Sequence, residues 1–162
     1  MKANILKTSL GVVLLVFVYA CSPESVTSDA QGADAVIVNA AEYSQVMNAR
    51  MNMPTPLSAA FEILTVERVG SMLKIELTGG CEVSNYKVIW DGKVMESHPE
   101  QINLVVVYEN TSNDECIAVT HNLVVNLSAL LGLDAGGMMV NLYNGSKVRG
   151  FVVDENGIVA TN

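Results

Sequence analysis

Apolar and polar residues alternate along most of the chain after residue 57, and that alternation predicts strands. In FEILTVERV (61–69), Phe61, Ile63 and Thr65 stand against Glu62, Leu64 and Val66 before a turn near Gly70-Ser71. MLKIELT (72–78) sets Leu73, Ile75 and Leu77 against Lys74, Glu76 and Thr78, the period-2 pattern of a half-buried strand. In YKVIW, Tyr86, Val88 and Trp90 share one face, with Lys87 and Ile89 opposite. Asp91-Gly92 reads as a tight turn, after which KVME folds back as a short ribbon. SHPEQ is a loop. INLVVVY (102–108) is a near-continuous apolar run rich in β-branched residues, which predicts a central strand covered on both faces. ENTSNDE is a polar loop leading to Cys116, and CIAVTHNLVVNL supplies one long strand or two. NLSALLGL predicts a single helical turn, capped by Asn126 and stopped by Gly132. GGMMVNLY, Asn144-Gly145 and KVRGFVV predict a hairpin with a two-residue turn; DENG turns again and IVATN adds an edge strand.

About seven or eight strands thus fall within about 105 residues, with turns at short intervals and no long helix between them. Two amphipathic sheets of this kind bury their inner faces against each other, so the expected class is all-β. The first choice is an immunoglobulin-like antiparallel β-sandwich, and a small antiparallel barrel is second. Trp90 on the third strand resembles the core Trp of immunoglobulin-like domains. The cysteines depart from that family, because Cys81 and Cys116 are only 35 positions apart. They are expected to tie the loop after the second strand to the loop before the fifth.

Ahead of this domain (57–162), residues 22–33 (SPESVTSDAQGA) are small and polar and read as flexible tether. Val36, Ala40, Tyr43 and Met47 recur at helical spacing, and Asn39 followed by Glu42 forms an Asn-type capping box, so a short helix is expected over 39–50. Met47, Met51 and Met53 read as packing residues ahead of a soft-metal site. MPTP (53–56) marks the entrance to the domain.

The first residues follow another rule. Lys2 and Lys7 precede an apolar run from Leu10 to Ala20, which is shorter than the ~20 residues a spanning helix needs. A basic start, a short apolar core and a small residue before the cut are the parts of a secretory signal, here residues 1–20. Val18-Tyr19-Ala20-Cys21 resembles the lipobox of bacterial lipoproteins. That resemblance implies a diacylglycerol on Cys21, cleavage before it and acylation of the new amine. Two or three chains then hold the protein at the membrane, each buried methylene contributing ~0.8 kcal/mol. Residues 21–56 become lipidated Cys plus tether. Ser22, in place of the family's Asp, implies the outer membrane, with the periplasmic face as default.

Removing residues 1–20 takes two lysines and no acid, which leaves 7 basic against 17 acidic residues and a net charge of −10. Nucleic acid and anionic lipid headgroups are poor partners for such a surface, whereas a basic envelope protein or cations are compatible with it. With Cys21 taken by lipid, Cys81 and Cys116 form an even remainder in an exported chain and read as a disulfide. The competing idea, a Cys nucleophile with His121 as base, lacks any protease-like motif around either Cys.

Metal-binding motifs are scarce. His98 and His121 are the two histidines, without HExxH or CxxC, and no cofactor fingerprint or nucleophile elbow occurs. Loops 109–115 and 154–157 are rich in oxygen ligands but do not follow the calcium-loop order. The Asn110, Asn126 and Asn144 sequons carry no weight in a bacterial lipoprotein. The expectation is therefore non-catalytic: a lipid-anchored envelope protein with a binding or scaffolding domain and no cofactor. The first alternative is an inhibitor of a basic envelope hydrolase such as lysozyme. The second, from another class, is a metal-assisted hydrolase.

Overall fold

The structure is a computed structural model and describes residues 29–31, 36–52, 57–109 and 119–161. Its strands are β1 (Asp29–Gln31), β2 (Val36–Val38), β3 (Glu62–Val69), β4 (Met72–Gly80), β5 (Tyr86–Met95), β6 (Gln101–Tyr108), β7 (Val119–Asn126), β8 (Met139–Asn144), β9 (Gly150–Asp154) and β10 (Gly157–Thr161). Among the described residues two α-helices, α1 (Ala40–Met51) and α2 (Leu127–Leu131), and a 3-10 turn (Val83–Asn85) accompany them. The strands form two sheets, ordered β1-β7-β4-β3 and β10-β9-β8-β6-β5-β2. The chain is mostly β, as expected.

The inner faces meet in one core. Leu73, Ile75 and Leu77 of β4, Val88 of β5, Ile102, Leu104 and Val106 of β6 and Val140 and Leu142 of β8 are fully buried in it. The period-2 pattern of MLKIELT therefore points the side it predicted inward. INLVVVY is covered on both faces: its even positions enter this core, while Val105 and Val107 lie beneath α1 with Ile89.

Helix α1 forms where its cap predicts. The Asn39 side chain accepts from the Glu42 N–H at 3.1 Å and donates to the Glu42 carboxylate at 3.0 Å. Tyr43, Val46, Met47 and Arg50 share its inner face at helical spacing and cover the outer side of the six-stranded sheet. Asn39 N–H also donates to the Trp90 carbonyl at 2.9 Å, and β2 pairs with β5 from Val36↔Val88 to Val38↔Trp90. The packed part of the chain thus reaches back to Val36, ahead of the boundary expected at 57. Upstream again, β1 pairs with β7.

Three local expectations are corrected. Antiparallel pairing throughout was expected, but β1–β7, β2–β5 and β6–β8 run parallel. The β6–β8 pair follows from a crossover: the chain leaves β6, runs through β7 in the other sheet, turns at α2 and returns beside β6. Asp91-Gly92 is a bulge inside one long strand, because Trp90↔Leu104 is followed by Val94↔Ile102, two extra residues on β5. Gly92 takes φ +79°, Asp91 accepts from the Lys93 N–H and the Trp90 indole N–H donates to the Lys93 carbonyl. The hairpin turn falls instead at 96–100. Asn144-Gly145 is not a two-residue turn either, since β9 begins only at Gly150. Gly145 is required for close approach: a β-carbon there would stand 2.7 Å from the Val106 carbonyl, to which its own N–H donates at 2.8 Å.

A bulge in β3 between Ile63 and Thr65 also shifts the expected alternation. Ile63, Val66 and Arg68 point inward and Leu64 is left exposed. Helix α2 matches expectation: Asn126 accepts from the Ala129 N–H and Gly132 ends the turn at φ +70°.

Candidate functional site

β6 and β8 run side by side, so the sandwich has two ends. The end where both begin carries loops 96–100 and 132–138 and the β9–β10 turn. The end where both finish carries Cys81 and the start of β5.

At the first end lies an open cleft of about 440 Å³, lined by Pro99, Gly137, Met139, Asp154, Glu155 and Val159. Its size falls in the range of small-ligand sites. Pro99, Met139 and Val159 supply its apolar lining, and the two carboxylates stand at the end of β9 and in the turn after it. Asp154 accepts from the Asn156 N–H at 2.7 Å, which fixes that turn. The Gly137 wall is fixed from behind by Arg68, the inward charge created by the β3 bulge. The guanidinium is buried and donates to the Gly70, Ala135, Gly136 and Met138 carbonyls. Burial lowers the pKa of Arg68, and the charges of Asp154 and Glu155 oppose that shift. Arg68 spends its donors on carbonyls, and neither acid takes part in an ion pair among the described residues. The cleft is a preformed, apolar, anionic concavity.

At the other end, Cys81 closes β4 and is disulfide-bonded. Its N–H donates to the Tyr108 hydroxyl at 3.0 Å. Tyr86 packs against Tyr108 at 4.7 Å, Phe61 at 5.5 Å and His121 at 5.7 Å between ring centres. His121 is buried, and one ring nitrogen, Nε2, lies 3.2 Å from the Gly80 carbonyl. The Tyr86 hydroxyl and His121 Nδ1 have no hydrogen-bond partner among the described residues. The Gly80 backbone runs beside the Tyr86 oxygen, where a β-carbon would stand only 2.6 Å away. Burial, against a smaller opposing effect of that backbone, pushes the Tyr86 hydroxyl up to about 12.

The predicted site residues are placed unevenly. Cys21 and Cys116 lie outside the described residues, as do 110–115 of the first oxygen-rich loop and Met53. Glu109 pairs with Lys87 at 2.6 Å. Met47 packs beneath α1 and Met51 is exposed. His98 is exposed in its loop, 98 and 121 lying at opposite ends of the sandwich. Among the described residues, no group of three His, Cys, Asp or Glu side chains could hold a metal ion. Among them also, no helix is long and apolar enough to cross a membrane. Sequence reading singled out 154–157 for its oxygens but missed the cleft beside it. The available signal was Arg68, a cation falling at an inward position once the strand is bulged. Compared with known proteins, the chain matches no family model, no curated sequence and no solved structure.

Proposed function

We propose that the chain is the precursor of a lipid-anchored cell-envelope lipoprotein, and that its β-sandwich is a non-catalytic binding or scaffolding domain. The observation that carries the anchor is the junction Val18-Tyr19-Ala20-Cys21 behind a basic start and an apolar run. The outer membrane, at its periplasmic face, is the proposed address. The disulfide of Cys81 supports export, since such bonds persist in oxidising compartments; Cys116 is its proposed partner. The binding reading is supported by a concavity whose Gly137 wall is fixed by the buried bonds of Arg68. The immunoglobulin-like part of the reading rests on two facing sheets, hairpin connections and a core Trp90. The parallel β6–β8 pair argues for a looser relation than a shared strand order.

Intact mass of the protein from its native envelope tests the anchor. Acyl chains on a chain beginning at Cys21, and their loss with retention of the precursor in Cys21→Ala, are expected. An unacylated, freely soluble product would sink the reading. The inhibitor of a basic hydrolase is the second reading, favoured by the mature charge of −10. Tight, salt-sensitive binding to lysozyme supports it, and no binding at low salt removes it.

A further inference from the structure

We infer that the cleft between loop 96–100, loop 132–138 and the β9–β10 turn seats a basic segment of a partner protein. One lysine or arginine would lay its methylenes on Pro99, Met139 and Val159 and bring its charge to Asp154 and Glu155. This rests on the binding-domain reading and names the chemistry of the partner.

Long cationic side chains carry an apolar stem and a charged head, and they bind best where both are matched. The cleft offers that match in one place, since Pro99, Met139 and Val159 line it together with two carboxylates. Neither carboxylate takes part in an ion pair among the described residues. Asp154 is fixed by its bond to the Asn156 N–H, and the nearby cation, Arg68, is turned away toward the Gly70, Ala135, Gly136 and Met138 carbonyls. The same carbonyl bonds hold the Gly137 wall in place before any partner arrives, so little ordering cost falls on binding. The volume of about 440 Å³ exceeds that of a single side chain and leaves room for an apolar neighbour. The acidic surface as a whole steers cationic partners toward it. An anionic or wholly apolar segment would leave the two acids desolvated and unpaired.

The test uses the full chain in neutral detergent and the capped peptide Ala-Leu-Lys-Leu-Ala as probe, followed by calorimetry and by amide shifts. Binding at low salt is expected, with shifts at Gly137, Met139 and Glu155, weakening as salt rises. A peptide with norleucine in place of lysine is expected not to bind. The double variant Asp154→Asn, Glu155→Gln keeps the turn-fixing oxygen and removes both charges; about a tenfold loss or more is expected. Glu82→Gln, at the opposite end of the sandwich, is expected to bind as the parent does. Equal binding of the double variant, binding of the norleucine peptide, or full competition by free spermidine would overturn the assignment. Capture of envelope proteins by the parent and the double variant separates the two levels. Partners held equally by both would remove the cleft and keep the binding domain. A parent that captures nothing would remove the binding domain itself.

Discussion

Two buried polar side chains, one expected on a strand and one in a turn, each donate to a carbonyl of a distant element. Arg68 is one. Asn144 is the other: its amide donates to the Phe61 carbonyl at 3.0 Å and its oxygen accepts from both the N–H and the hydroxyl of Ser146. Period-2 reading placed Leu73, Ile75 and Leu77 correctly because hydrophobicity alone decides them. It could not place Arg68 or Asn144, because their burial depends on carbonyls that only the folded chain brings to them. Tyr86 is the opposite case, a buried hydroxyl without a partner among the described residues. Tyr86→Phe deletes that oxygen and is expected to raise stability at pH 7 by about 1 kcal/mol, read from urea unfolding. Its pH dependence has a definite sign. Burial raises the folded-state value above the ordinary 10, to about 12, so the folded chain keeps a proton that the unfolded chain releases. That contribution is intact below pH 10 and is lost as pH rises through 12. The alkaline fall in stability should be shallower in Tyr86→Phe, with the remainder owed partly to Tyr43, whose value burial also raises. A less stable Phe variant would show that the hydroxyl has a partner, such as an internal water.

Among the elements, the helices were the most legible and the turns the least. Caps are local: Asn39 with Glu42, and Asn126 with Gly132, contain all the groups that set their helix ends. Asp-Gly and Asn-Gly are turn signals only when the chain reverses at that point; here β5 runs on past Asp91-Gly92 beside β6, and β8 and β9 pair through the longer loop 145–149, in which the Gly145 N–H donates to the Val106 carbonyl of β6. Gly145→Ala should therefore fail sterically, not conformationally. A β-carbon forced against the Val106 carbonyl is expected to cost about 1–3 kcal/mol in chemical unfolding, and a variant as stable as the parent would remove the close-approach argument. What α1 does could not be read locally either, because its polar attachment runs through Arg50, nearly a hundred residues from its partners. The buried guanidinium donates to the Asn144, Lys147 and Arg149 carbonyls at 2.9–3.1 Å and lies 4.9 Å from the centre of the Tyr143 ring. Desolvation lowers its pKa, with Tyr143 and Tyr43 opposing the shift. Arg50→Ala removes the charged donor from those carbonyls, each of which keeps a backbone N–H, and is expected to cost about 1.5–3 kcal/mol. Arg50→Lys should recover only part of it, because one ammonium cannot copy a planar fork. Amide exchange over Tyr43–Arg50 should quicken in both variants, and unchanged protection would show that the apolar face alone holds the helix.

At the scale of the molecule, the sheet class was legible because alternation is repeated in strand after strand, whereas the order of strands was not. Nothing in the sequence of β6 or β8 marks them as neighbours running the same way; that depends on the crossover through β7 and α2. The length of the tether was misjudged for a related reason. Val36–Val38 is too short to read as a strand, yet it pairs with β5 and delivers the chain into α1. Under the lipid-anchor reading this changes where the domain stands. A free segment from Cys21 to residue 56 would extend to about 120 Å, but the stretch from Cys21 to Val36 reaches at most about 50 Å, and pairing at Asp29 shortens it further. The domain is thus confined near the bilayer and cannot act as a long arm. Trp90, the single tryptophan, pairs with Val38 at the point where the tether enters, so it reports that distance directly. With the acylated protein in neutral vesicles carrying a dansyl headgroup lipid, Trp90 emission should be strongly quenched by energy transfer. Inserting about twenty Gly/Ser residues after Ser22 should restore much of it, since such a linker lengthens the mean reach while leaving β2 in place. Equal quenching with and without the insert would mean that the domain adheres to the membrane by its own surface. Absence of quenching in both would mean that the chain upstream of Val36 does not hold it there.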